Sequence, residues 1–176
     1  MDRPMPNMHF RIMACMFRVR DLFLPRIKVL KEVEIKPGFR VLDYGCGTGS
    51  YTIAAAELVG PAGTVHALDI HPLAIQRVRQ RAAGKGLKNV ETILSDSSTG
   101  LPDRSLDAVL LYDVFHGLSE HDKVLTELHR VLKPKGILSF NDHHLKEKEI
   151  VSRLTSGGLF RLLRKGRYTY TFLNAR

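Results

Sequence analysis

The chain has 176 residues, a length that fits one domain around one sizeable core. Its composition, 44% hydrophobic and 26% charged with only two cysteines, is that of an ordinary globular protein and excludes a disulfide scaffold. The formal net charge of +9 suits an anionic partner, nucleic acid or a membrane surface, without naming either.

Residues 7 to 24 place Met8, Ile12, Cys15, Met16, Val19, Leu22 and Phe23 at steps of three and four, with Arg11, Arg18 and Asp21 between them. This spacing predicts an amphipathic helix. Its apolar centre, Ile12 to Phe17, is short and lies between Arg11 and Arg18, so no secretory signal is expected. No apolar run approaches the roughly 18 residues of a membrane helix. A reducing, cytoplasmic compartment is the expectation. Pro25 opens a second helix over 26–35, and Pro37-Gly38 closes it.

Strands and helices then alternate. Phe39 to Tyr44 reads as a strand, Ser50 to Val59 as a helix stopped by Gly60-Pro61, and Gly63 to Leu68 as a strand. A helix over 72–85 follows, then a strand from Val90 to Leu94 and a near-continuous apolar strand from Leu106 to Tyr112. Glu120 to Leu132 is a helix, closed by Lys133-Pro134-Lys135-Gly136, and Ile137 to Asn141 is a buried strand. After a helix near 146–156, Leu159 to Leu163, a Lys165-Gly166 turn and Arg167 to Leu173 form a hairpin, with Tyr168, Tyr170 and Phe172 on one face. The pattern predicts one α/β domain: a mostly parallel, seven-stranded sheet with helices on both faces and an antiparallel hairpin at its end. Residues 1–35 form a helical extension before the main domain, 36–176.

Gly45-Cys46-Gly47-Thr48-Gly49 follows the first strand and opens a helix. Such a loop brings a ligand against bare backbone at a helix N-terminus. A dinucleotide and S-adenosylmethionine both use one. The spacing here is GxGxG, tighter than the GxGxxG of dinucleotide sites. Asp43 stands two residues ahead of Gly45. It would repel a pyrophosphate and attract the ammonium and sulfonium of a methionyl group, so the balance leans to S-adenosylmethionine. Asp69 closes the second strand, where a carboxylate can accept both ribose hydroxyls. Asp96 closes the third, where it can accept from an adenine amino group. Cys46 needs only to be small.

With these motifs, and with Val65-His66-Ala67-Leu68-Asp69, Leu106-Asp107-Ala108-Val109-Leu110 and Arg130-Val131-Leu132-Lys133-Pro134-Lys135-Gly136-Ile137-Leu138, the sequence resembles class I S-adenosylmethionine-dependent methyltransferases of the type 11 or ubiquinone-biosynthesis-like kind over roughly residues 36–176. The resemblance implies a Rossmann-like, doubly wound fold. It implies that Asp43 and the loop Gly45, Cys46, Gly47 and Gly49 hold the methionyl part, that Asp69 holds the ribose, that Ile70 packs on the adenine and that Asp96, with Ser97 behind it, binds the adenine edge. The end of the fourth strand, at Leu111 and Tyr112, would offer a carbonyl to the ammonium.

Methyl transfer from a sulfonium needs alignment, and a base only where the acceptor loses a proton. His116 is the first choice of base, with Asp113 beside it. Asp142, His143 and His144 follow the fifth strand, but adjacent histidines do not easily share one ion, so no metal is expected. The fourth strand ends in Tyr112-Asp113-Val114-Phe115, not the Asn/Asp-Pro-Pro-aromatic motif of enzymes acting on base amino groups. There is no Pro-Cys or Thr-Cys nucleophile and no cysteine triad. A small-molecule acceptor is therefore expected. RNA is the second class, suggested by Arg153, Arg161, Arg164, Lys165, Arg167 and Arg176, in a tail from residue 150 that has no acid. The N-terminal helix has three readings: ordinary core, a lid closing with Phe10, Met13, Met16, Phe17 and Phe23, or a membrane-surface helix carrying Arg3, Arg11, Arg18, Arg20 and Arg26.

Overall fold

A computed structural model describes residues 4–23 and 26–175. Arg3, Pro25 and Arg176 lie outside the described residues, as do the side chains of Arg18, Asp21 and Leu22. The chain runs α1 (Asn7–Phe23), α2 (Arg26–Leu30), a 3-10 turn (Lys31–Val33), β1 (Arg40–Tyr44), α3 (Ser50–Val59), β2 (Thr64–Asp69), α4 (Pro72–Gly84) and β3 (Val90–Leu94). It continues through β4 (Leu106–Tyr112), a 3-10 turn (Phe115–Gly117), α5 (His121–Val131), β5 (Leu132–Asn141), α6 (Glu147–Thr155), β6 (Phe160–Lys165) and β7 (Tyr170–Asn174).

The seven strands lie in the order β3-β2-β1-β4-β5-β7-β6. The first five are parallel, and β7 runs antiparallel to both β5 and β6. This is the doubly wound sheet with a terminal hairpin that the alternation predicts. The order reverses between β1 and β4, so the loops leaving these two strands part and open a crevice at their carboxyl ends. Val41, Leu42, Leu106 and Ala108 to Leu111 are fully buried, which is why these strands read as unbroken apolar runs. Leu30 and Val33 join Val41, Val59, Val65 and Leu110 in one core cluster. Leu42, Leu68, Leu111, Phe115, Leu128, Phe140 and Phe172 share the other large one.

Three details depart from the sequence reading. The Lys133–Gly136 turn is absorbed into β5, because Leu132 pairs with Leu106 across a register shift and Lys135 takes a positive φ of 66°. The hairpin loop spans residues 166–169, wider than the Lys165-Gly166 turn, and Tyr168 sits in it. Its backbone wraps around the Glu32 carboxylate, which accepts from the N–H groups of Arg167, Tyr168 and Thr169 and from the Thr169 hydroxyl. Third, α1 does not bury the face that the spacing of its apolar residues picks out. Phe10 and Ala14 are buried, whereas Met8, Ile12, Cys15, Met16, Val19 and Phe23 face outward.

Candidate functional site

The crevice holds a cavity of 190 Å³ where the glycine loop, the ends of β2, β3 and β4 and the inner face of α1 meet. Gly45, Cys46 and Gly47 form one wall, Asp69, Ile70 and Asp96 another, and Tyr112, Asp113 and His116 a third. Phe10, Met13 and Phe17 supply an apolar wall from α1.

The loop owes its shape to its glycines. Gly47 has φ 50°, and a Cβ there would meet nothing closer than the Gly45 carbonyl at 4.0 Å. This is the point where a ligand can reach bare backbone. Gly49, with φ 76°, faces inward instead: a Cβ would sit 2.7 Å from Val78 Cγ2, so its role is to let α4 pack close. The N–H groups of Gly45 and Cys46 both donate to the Leu68 carbonyl, at 2.8 and 2.9 Å, which ties the loop to the end of β2.

Asp69 is fixed by backbone donors. Oδ2 accepts from Gly47 N–H and Oδ1 from His71 N–H, both at 2.8 Å. Each oxygen keeps a further lone pair, so the carboxylate can still receive a diol. Burial raises its pKa, and the backbone bonds oppose that shift. Asp96 is exposed at the rim, and its carbonyl accepts from Tyr44 Oη at 3.3 Å.

Four of the expected residues do not line the cavity. Asp43 is buried under the loop and accepts from Thr52 Oγ1 at 2.6 Å. Burial, with the Asp69 charge adding to it, pushes its pKa up to about 6. Gly49 packs on Val78, Leu111 lies in the core, and Ser97 donates to Asp96 Oδ1 at 3.2 Å beside a neighbouring shallow cleft. Cys46 does line the cavity, but burial lifts its thiol well above the usual range, so it stays neutral.

Two His–Asp pairs cross between the loops after β4 and β5. His116 Nδ1 lies 3.0 Å from both oxygens of Asp142, and His116 N–H donates to the same carboxylate at 2.9 Å. The Asp142 side chain is fully buried and accepts also from His144 N–H at 3.0 Å. Burial works against its charge, but these bonds outweigh it and hold its pKa below the ordinary value. The second pair is His143 Nδ1 to Asp113 Oδ1 at 2.5 Å, with His143 N–H on the same oxygen at 3.2 Å. Asp113 has φ 53°, and its N–H donates to the Asn141 carbonyl. His143 points to solvent, while the His144 ring lies 4.0 Å from that of His116.

Sequence reading missed His71. It lines the cavity, caps α4 by accepting from Leu73 N–H at 3.1 Å, places Nε2 3.0 Å from the Met5 carbonyl, and stacks on Phe10 at 4.5 Å. Its place directly before Pro72 was the available signal, since the residue before an N1 proline is the helix cap. Among the described residues no cluster of three metal-ligating side chains occurs.

Comparison with known proteins gives a consistent picture. Residues 35–169 match the family model described as a methyltransferase domain. The demethylmenaquinone methyltransferase of Geobacillus stearothermophilus is 34% identical over 130 residues, covering 73% of this chain and 56% of the relative. The aklanonic acid methyltransferase of Streptomyces sp. (strain C5) is 41% identical over 92 residues, covering 51% of this chain and 42% of the relative. The chain thus spans about half the length of these curated relatives. A crystal structure of a SAM dependent methyltransferase from Aquifex aeolicus superposes with a TM-score of 0.72 at 31% identity, covering 84% of this chain and 87% of that one.

Proposed function

The chain belongs to the S-adenosylmethionine-dependent methyltransferases, and from that premise we propose that it moves a methyl group from S-adenosylmethionine to a small organic acceptor with an apolar body and an ionisable group. One observation carries this reading: a single cavity joins the glycine loop and Asp69 to His116, whose ring is held by a buried carboxylate. Two of the relatives are named for methyltransferases of demethylmenaquinone and aklanonic acid, which fits a small-molecule acceptor.

The residues present suit the cofactor. Open backbone at Gly47 would receive the methionyl part, Asp69 the ribose hydroxyls, and Ile70 with Asp96 the adenine. Tyr112 would border the methionyl end. Asp43 acts from beneath the loop through its charge, Gly49 and Leu111 shape the site from behind, and Ser97 holds the Asp96 carboxylate from the side. The cofactor itself supplies a methyl group on a positively charged sulfur, so no protein nucleophile is required.

The chain's own chemistry lies in His116. An ionised carboxylate only accepts, so the Nδ1 proton of His116 points at Asp142 and Nε2 is left as the base. Nε2 takes the proton that the acceptor loses, and Asp142 keeps that tautomer and stabilises the imidazolium. Asp113, gripped by His143, holds the two loops together. The apolar wall of Phe10, Met13 and Phe17 excludes water from the acceptor side. In the tail, Arg164 pairs with Glu34 and Lys165 with Glu147, which takes two cations away from an RNA-facing patch.

Calorimetric titration with S-adenosylmethionine, S-adenosylhomocysteine and NAD tests the reading. The wild type should bind the first two and not NAD, and Asp69→Ala should bind about tenfold or more weakly, as expected for lost charged hydrogen bonds. Tight binding of NAD alone would overturn the proposal. With an acceptor in hand, His116→Ala should leave cofactor affinity intact and slow turnover by roughly 10²-fold or more.

A further inference from the structure

Helix α1 is apolar on two opposite faces. Its inner face buries Phe10 and Ala14 and turns Met13 and Phe17 to the cavity. Its outer face exposes Met8 (64%), Ile12 (54%), Met16 (66%), Val19 (52%) and Phe23 (83%), which recur at steps of three and four and so form one stripe along 17 residues. A stripe of five large exposed apolar side chains on one helix marks an interaction surface.

Charge identifies the occupant. By sequence the helix carries Arg11, Arg18 and Arg20 against one acid, Asp21; of these, Arg20 turns inward, where it lines the cavity and stacks on Phe17. Arg11 is exposed beside the stripe, and Lys28 and Lys31 are exposed in the next two turns of chain. The whole chain carries +9. A second copy docking through a two-fold axis would bring these like charges together. An anionic bilayer surface complements them and receives the methionines and phenylalanine. No described helix is long and apolar enough to cross a membrane, so α1 would lie in the interface plane.

We propose that the outer face of α1 docks this protein on anionic phospholipid surfaces, with the helix lying flat and its inner face roofing the cavity. The docking goes beyond the methyl-transfer reading and is measurable without it. On that reading it would also bring the cavity mouth to the bilayer, where an acceptor with an apolar body partitions.

Cosedimentation of the full chain with phosphatidylcholine vesicles, and with the same vesicles containing phosphatidylglycerol, tests this without cofactor or acceptor. The wild type should pellet with the phosphatidylglycerol vesicles, and high salt should weaken it. The double variant Met16→Gln, Phe23→Ser should lose about tenfold or more in vesicle affinity, since it removes two inserted apolar groups. Both side chains are exposed, so its thermal melt should match the wild type. Two results would sink the proposal. One is a wild type that stays in the supernatant, or pellets as well as the double variant. The other is self-association in sedimentation velocity that the double variant abolishes, which assigns the stripe to a second copy.

Discussion

Burial of the Asp43 carboxylate under the glycine loop raises its pKa to about 6, with Asp69 adding repulsion and Thr52 Oγ1 opposing. The ordinary value is 3.8, so the folded chain prefers the protonated form in between. Well below pH 4 the group is neutral in both folded and unfolded chains and costs nothing. As pH rises through 4 to 6 the unfolded chain ionises first, and the folded state loses stability. Asp43→Asn should therefore be more stable than wild type above pH 6, by about 1 kcal/mol or more at pH 8, and the gap should close toward pH 4. Chemical denaturation at several pH values reads this directly. A gap that grows at low pH would contradict the burial argument. The same variant should bind S-adenosylmethionine more weakly, because the charge that favours a cationic ligand is gone.

Asp142 acts at the same scale with the opposite sign, since its pKa is held down. Its bonds to His116 and His144 contribute fully above the ordinary carboxylate range and fade as pH falls below it. The carboxylate also fixes the His116 tautomer. Nitrogen NMR should show the neutral ring protonated at Nδ1 in the wild type. Asp142→Asn, which presents an amide that can donate, should shift the population toward Nε2–H. An unchanged tautomer would remove Asp142 as a positioning residue.

Elements show a second kind of design in the clasp between the 3-10 turn at Lys31–Val33 and the β6–β7 hairpin. Burial disfavours the Glu32 charge, but donors from Tyr168, Thr169 and Arg167 outweigh it and lower its pKa. Arg164 reinforces the contact through Glu34 and the Glu32 carbonyl. Glu32→Ala leaves several loop N–H groups without this partner and should cost about 2 kcal/mol. Hydrogen exchange at Arg167, Tyr168 and Thr169 should accelerate more than in β4. The clasp also explains what the sequence could not show. Strand and helix identities were legible from periodicity and from Gly-Pro punctuation, because those signals are local. The hairpin loop was misjudged because its conformation is set by a carboxylate some 135 residues away. The His116–Asp142 pair was hidden for the same reason: the two residues are 26 apart and meet only once β4 and β5 are parallel neighbours. The glycine loop, Asp69 and His116 could be placed at the carboxyl edge of the sheet from sequence, because each lies at a strand end or within a few residues of one. For α1 the stripe was visible, but a helix apolar on two faces does not announce which one the core takes.

At the scale of the whole molecule, the question is where the methyltransferase domain begins. The sequence suggested a boundary after residue 35. Yet Leu30 and Val33 are buried with β1, β2 and α3, Val29 is buried too, and Arg26 Nη1 donates to Tyr51 Oη at 2.9 Å. Each of those three apolar side chains contributes about 1.5–3 kcal/mol by burial, and together they approach the 5–15 kcal/mol that typically holds a domain folded. Glu32 and its hairpin clasp would go with them. Helix α1 is different, because its burial is confined to Phe10, Ala14 and part of the cavity wall. We therefore propose that the extension is α1 alone. A chain lacking residues 1–25 should still unfold cooperatively, yet bind S-adenosylmethionine more weakly, having lost Phe10, Met13, Phe17 and the Met5 carbonyl that meets His71. A chain lacking residues 1–35 should fail to fold. Circular dichroism melts on the two truncations separate these outcomes. If the shorter truncation also failed to fold, α1 would be core rather than roof, and its outer stripe would need another explanation.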